Sequence, residues 1–173
     1  MGIGNTTTSS AMAAVLLNRS VEEVTGVGAG LTDEGLQRKI EVIKKAIKLN
    51  NPDPENALEV MAALGGFDIA GMCGIYLGGA LYRIPILIDG IISAIAALAA
   101  MRLCPASQAY MIASHESAEP AARLILGELG IKPLIKAEMR LGEGTGAVAA
   151  LPLLDMAIAV YRSLMTFEDI GMV

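Results

Sequence analysis

The sequence predicts an α/β layer fold built on parallel strands, and three observations predict it. Apolar runs of strand length cover 84–89, 109–114 and 134–139, and each is followed by a stretch with helical spacing. Strands and helices alternating at this interval are joined by right-handed crossovers, which leave the strands parallel and the helices on the sheet faces. Polar residues gather just past the strands, at Asp89-Gly90, Ser114-His115-Glu116-Ser117 and Arg140-Leu141-Gly142-Glu143. An open parallel sheet binds its ligands at that rim.

Taken in order, the chain opens on a hydroxyl-rich loop, Gly2-Ile3-Gly4-Asn5-Thr6-Thr7, that runs into a helix over 11–17. A second glycine loop, Gly26-Val27-Gly28-Ala29-Gly30, leads into a helix over 32–49, where Leu36, Ile40, Ile43 and Ile47 recur on one face. Pro52 and Pro54 interrupt the chain before a helix over 57–64, which ends at Gly65-Gly66 as helix C-termini often do. The stretch 67–82 reads as a buried helix whose Ala70, Gly74 and Gly78, four apart, admit a neighbouring backbone. Helices over 91–103, 118–129 and 145–164 follow the three strands, the second closing at Gly130. Ser117 reads as the N-cap of that second helix, with Pro120 in its opening turn. No internal repeat divides the chain, so 1–173 is expected to be a single domain.

Composition narrows the function classes. Hydrophobic residues make up 54% of the 173 residues but aromatics only 3%, so the core is built from Ala, Ile, Leu, Val and Met. A net charge of -5, with no basic cluster longer than Lys44-Lys45, argues against nucleic acid as a partner. Cys73 and Cys104 read as reduced core thiols. The first ten residues lack the basic and apolar regions of a secretory signal, and the protein is expected in the cytoplasm. The longest apolar stretch, 84–103, is split by Asp89-Gly90, and what remains is about half the ~20 residues a bilayer requires. A membrane location is therefore not expected. A mean hydropathy of +0.55 nevertheless predicts surface covered by another subunit or by further chain.

The most informative motif is Leu141-Gly142-Glu143-Gly144-Thr145-Gly146, one carboxylate between glycines ahead of an apolar helix. Without side chains beside it, a flat ligand could reach Glu143 as a general base requires. The same pattern also suits a first-turn acid that complements the helix dipole. The helix end would stabilise the ionised carboxylate and weaken the base, whereas burial beneath an aromatic ring would act the other way. Each glycine loop precedes a helix and could present amides to an anion, with Lys39 two turns into the second helix. Leu31 rules out a G-x-G-x-x-G pattern, and no Gly-Lys-Ser/Thr occurs. The single histidine, His115, has no second histidine or thiolate near it in sequence to hold zinc, and no Gly-x-Ser-x-Gly elbow accompanies it. Asp89, closing its strand, is either a site acid or a carboxylate that binds backbone amides.

Together, 1–7, Gly26 to Gly30 with Thr32-Asp33-Glu34-Gly35 and Lys39, Ile86-Leu87-Ile88-Asp89-Gly90, His115-x-Ser117-Ala118-Glu119-Pro120, and Arg140 to Ala147 resemble, in this order, one family. That family is nicotinate-nucleotide:dimethylbenzimidazole phosphoribosyltransferase. The resemblance implies a Rossmann-like three-layer fold with a mostly parallel sheet flanked by helices, and a homodimer. It implies transfer of phosphoribose from nicotinate mononucleotide to 5,6-dimethylbenzimidazole, giving α-ribazole phosphate and nicotinate for the lower ligand of cobalamin. It also implies that Glu143 is the general base. Gly2, Gly4, Asn5, Gly28, Gly30, Lys39 and Ser117 would hold the nucleotide's phosphate and ribose, and Leu141 and Met1 would lie near the base pocket. Amides, hydroxyls and one ammonium suffice for that work, so no metal or cofactor is expected. Family members are much longer, which makes 1–173 the expected carboxy-terminal half of the catalytic chain, catalytically weak alone.

Overall fold

The computed structural model describes residues 2–28 and 30–172. Helix α1, Asn5–Leu16, begins well before the predicted position 11 because Gly4, at φ 90°, turns the chain directly into it. A short helix α2, Val21–Val24, is not among the predicted elements although it carries a legible capping box: Ser20 and Glu23 each satisfy the other's backbone N–H. Helix α3, Asp33–Asn50, is capped by Thr32; α4, Ala57–Leu64, ends at Gly65; and α5 covers Phe67–Tyr82 as predicted.

Strand β1, Ile86–Ile88, is followed by helix α6, Ile91–Leu103. Pro105 then starts a 3-10 helix, Pro105–Tyr110, which takes the first two residues of the predicted second strand and leaves β2 as Met111–Ala113. Strand β3, His115–Ser117, lies where a polar strand end was expected. Its residues have little β preference, and the ladder is supplied by a neighbour, β4, Ile135–Met139. Between them runs helix α7, Pro120–Leu129, closed by Gly130 at φ 67°. Its N-cap is Glu119, so the assignment of that role to Ser117 is corrected: the parallel ladder extends β3 through Ser117 and delays the helix.

β1 pairs parallel with β2, Ile86 opposite Met111, and β3 pairs parallel with β4, His115 opposite Ile135. Ser114 joins the two pairs: its N–H donates to Ile88 O at 3.0 Å and its carbonyl accepts from Ile135 N–H at 3.0 Å. Residues 111–117 thus run through the middle of an all-parallel ribbon, with helices packed on it from α5, α6 and α7. This is the expected α/β arrangement with shorter strands. Helix α6 is the centre of the core, with Ile91 and every residue from Ala94 to Ala100 buried. Its alanines let α1, α4, α5 and α7 all approach it. Gly79 makes a second close approach, since a Cβ there would stand 2.5 Å from Ile86 Cγ1 and 2.9 Å from Ile84 O.

Two further expectations are corrected. Cys73 is buried, and burial pushes its thiol up, but Cys104 is exposed at the end of α6. Helix α8, Thr145–Ser163, projects from the fold with only Gly146 and Ala150 buried, leaving Leu151, Leu153, Met156, Val160 and Tyr161 exposed. Among the described residues α8, not 84–103, is the helix long and apolar enough to cross a bilayer, by length and composition alone.

Candidate active site

Lys39 projects from α3 into a cradle made by α1, the 26–28 loop and the start of α7. Its Nζ donates to Thr6 Oγ1 at 3.1 Å and to Gly26 O at 2.9 Å. Lysine rarely accepts such burial, yet Lys39 is only 7% exposed. Burial holds its ammonium below the usual range, while nearby Glu119 pulls the other way. An ammonium has three donors, so among the described residues one remains for an anion. Gly28 lies against this group with φ 57°, and a Cβ there would stand 3.0 Å from Thr6 Oγ1 and 3.7 Å from Lys39 Nζ. Among the described residues Glu119 has one buried carboxylate oxygen without a partner, and it crowds Gly26, where a Cβ would meet that oxygen at 2.1 Å.

The first glycine loop is arranged differently from the expectation. Asn5 Nδ2 donates to Asp68 Oδ2 at 2.9 Å, and that bond is the main cause holding the Asp68 carboxyl below its usual range. A Cβ on Gly2 would stand 2.1 Å from the same carboxylate oxygen. Asn5 and Gly2 therefore pack on the start of α5, and Thr6, in the first turn of α1 and not singled out from sequence, is the residue that meets Lys39. Gly4 and Gly30 are exposed, with nothing within 4 Å of a would-be Cβ. Met1 lies outside the described residues.

The Glu143 loop has an unusual backbone. Gly142, Glu143 and Gly144 are left-handed in succession, with φ of 73°, 55° and 77°. Glycine adopts this region freely, but a residue such as Glu does so at a cost of about 1–2 kcal/mol. Thr145 closes the turn, donating from Oγ1 to Gly142 O at 2.7 Å. Asp89, at the end of β1, accepts the N–H groups of Gly144, Gly146 and Ala147. The ring of buried His115 lies flush on the helix at Gly146, where a Cβ would stand 1.8 Å from Nδ1. Ser114 Oγ donates to Ile88 O at 2.6 Å and so receives the N–H of His115 Nδ1 at 3.0 Å, which fixes the ring's tautomer. Glu143 and Leu141 are exposed.

Ser117, half-buried at the end of β3, accepts the Glu119 N–H at 3.4 Å and lines a hollow with Glu116, Arg123 and Lys136. The short segment from His115 to Glu119 thus spans the site: His115 touches the Glu143 loop, and Glu119 touches the Lys39 cradle. Both stand at the carboxyl rim of one parallel ribbon. Among the described residues, Gly4, Gly30, Leu141 and Glu143 are the predicted residues that stand open to solvent. Of the residues not singled out, Glu119 and Thr6 carried a signal as polar groups beside recognised glycines and strand ends. Ser93, which binds the Asp89 backbone from α6, carried none.

Comparison with known proteins supplies the context. A family model described as phosphoribosyltransferase matches residues 1–172. A relative from Acetivibrio thermocellus, named nicotinate-nucleotide–dimethylbenzimidazole phosphoribosyltransferase, is 53% identical over 169 residues, 98% of this chain and 48% of that protein. A relative of the same name from Clostridium acetobutylicum is 51% identical over the same shares. The crystal structure of CobT from Thermus thermophilus superposes with a TM-score of 0.90 at 40% identity, covering 100% of this chain and 51% of that one. The chain spans about half the length of the curated relatives it matches.

Proposed function

The chain belongs to this phosphoribosyltransferase family, and from that premise we propose that it carries phosphoribose from nicotinate mononucleotide to 5,6-dimethylbenzimidazole. Residues 1–173 correspond in this reading to the carboxy-terminal half of the family's catalytic chain, in a cytoplasmic homodimer. The observation that supports it is the buried Lys39 ammonium cradle, and the Glu143 carboxylate on its glycine loop after β4 supplies the second part of this reading.

The chemistry follows from the two parts. The Lys39 ammonium and the amides of the glycine loops hold the phosphate of the donor, with Ser117 near its ribose. Glu143 takes the N–H proton of the benzimidazole while the ring's other nitrogen attacks C1′. The C1′–N bond to nicotinate breaks, its electron pair leaves with nicotinate, and the anomeric centre inverts. A neutral azole becomes a better nucleophile as its proton departs, and general-base help of this kind is worth about 10²–10⁴-fold.

The test is chromatographic release of nicotinate from the two substrates. Glu143→Gln is expected to abolish release while leaving nucleotide affinity intact, and equal release by the variant would remove Glu143 from the mechanism. A second reading, a nucleotide-binding or partner subunit without catalysis, is favoured by the half-length match and by the bare apolar side of α8. On this reading the isolated chain binds the donor and releases no nicotinate. Full turnover by a monodisperse sample of the chain alone would discard it.

A further inference from the structure

Helix α8 has no capping side chain of its own, because glycine stands at its N-cap. The capping comes from elsewhere in the fold. Asp89 Oδ2 accepts from the N–H of Gly144 at 3.1 Å, and Oδ1 accepts from Gly146 at 2.8 Å and Ala147 at 3.1 Å. Asp89 is itself held in place. Its N–H donates to Ser93 Oγ at 2.9 Å, Ser93 donates onward to Gly90 O, and His115 Nδ1 lies 4.0 Å from Oδ1.

This arrangement bears on Glu143. Glu143 precedes the N-cap Gly144 and is not a first-turn acid of α8, and the amides such an acid would sit on are occupied by Asp89. The three left-handed residues before the helix have little else to brace them. A Cβ at Gly142 or Gly144 would touch nothing within 4 Å, and among the described residues the loop's remaining ties are local ones, from Thr145 to Gly142 and from Val148 to Gly144. The direction in which Glu143 leaves the helix is therefore set by where Asp89 holds the helix end.

We infer that Asp89 is the positioning residue of the site: from the end of β1 it caps α8 and aims the Glu143 carboxylate. The inference rests on reading Glu143 as the base. Asp89 acts through backbone amides and not on substrate, and the Lys39 cradle stands on other elements. Its loss should therefore lower kcat and leave the donor KM unchanged. A displacement of about 1 Å at a reacting group can cost about 10²-fold, which is the fall expected.

The test uses Asp89→Asn, which keeps the shape but loses the charge and turns one acceptor into a donor facing an N–H. Amide hydrogen exchange by NMR should quicken at Gly144, Gly146 and Ala147 by about tenfold or more, the scale of a charge-assisted bond. Glu143→Gln should leave those amides protected. Unchanged protection in Asp89→Asn overturns the proposal, as does a rate loss shared equally by kcat and the donor KM. If Glu143→Gln instead releases nicotinate at the full rate, the base reading alone has failed, and the exchange data still decide whether Asp89 sets the loop. Should Asp89→Asn not fold, Ser93→Ala removes the acceptor of the Asp89 N–H and so loosens the backbone that carries the same carboxylate. It should give the same pattern in weaker form, and full protection there overturns the proposal too.

Discussion

Replacing Gly146 by alanine puts the packing beneath the Glu143 loop to a direct test. The new methyl would stand 1.8 Å from His115 Nδ1, 2.3 Å from Cε1 and 2.8 Å from Cγ. Ordinary contact begins at 3.4 Å, so ring and helix must separate by 3.4 − 1.8 = 1.6 Å. His115 is 3% exposed and bonded to Ser114 at 3.0 Å, so it cannot withdraw with that bond intact. Overpacking of this kind costs ~1–3 kcal/mol and a broken hydrogen bond about 1 more, while alanine's helix preference offsets about 1. The net expectation is a loss of ~1–3 kcal/mol, or roughly 2–12 °C in Tm for a domain of this size. Urea unfolding followed by circular dichroism measures it. The double-mutant cycle sharpens the result: with His115→Ala in place the methyl has room, and Gly146→Ala should become neutral or stabilising by about 1 kcal/mol. A Gly146→Ala protein as stable as the parent, with His115 present, would refute the contact.

Lys39 gives two further expectations. Because burial lowers its pKa from 10.5, the unfolded chain binds more protons than the folded one between the two values, so this residue makes stability rise with pH up to about 10.5. Lys39→Met should flatten that part of the curve in urea titrations across the alkaline range, and an identical slope in both proteins would contradict the burial. The same variant should weaken donor-nucleotide binding by about 10- to 100-fold, the loss of one charged hydrogen-bond donor, as read by calorimetry. Of the two thiols, Cys104 should react with Ellman's reagent in the native protein and Cys73 only on unfolding. Prompt reaction of both would place Cys73 outside the core.

Much of this architecture is written in local patterns. The helices of 57–64, 67–82 and 91–103 follow from apolar spacing and glycine stops, and the order of strands and helices announces the parallel sheet. What was hidden depended on contacts distant in sequence. β3 is a strand because β4 lies beside it, not because His-Glu-Ser prefers extension. The site was legible to the same degree. Glu143 and Lys39 stood out by their glycine settings; in the fold the segment 115–119 reaches the Lys39 cradle through Glu119 and the first turn of α8, just past Glu143, through His115. The amide-binding alternative for Asp89 was written in the sequence, but not that the amides lie 55–58 residues away. The place of Asn5 was not legible because its acceptor, Asp68, is 63 residues distant.

Each methylene that the leucines, the methionine and the tyrosine of α8 keep in water forgoes about 0.8 kcal/mol of transfer free energy. A surface that buried those side chains would recover that free energy, so self-association is expected to increase with concentration. Light scattering and dye fluorescence across a dilution series should therefore precede any reading of its kinetics.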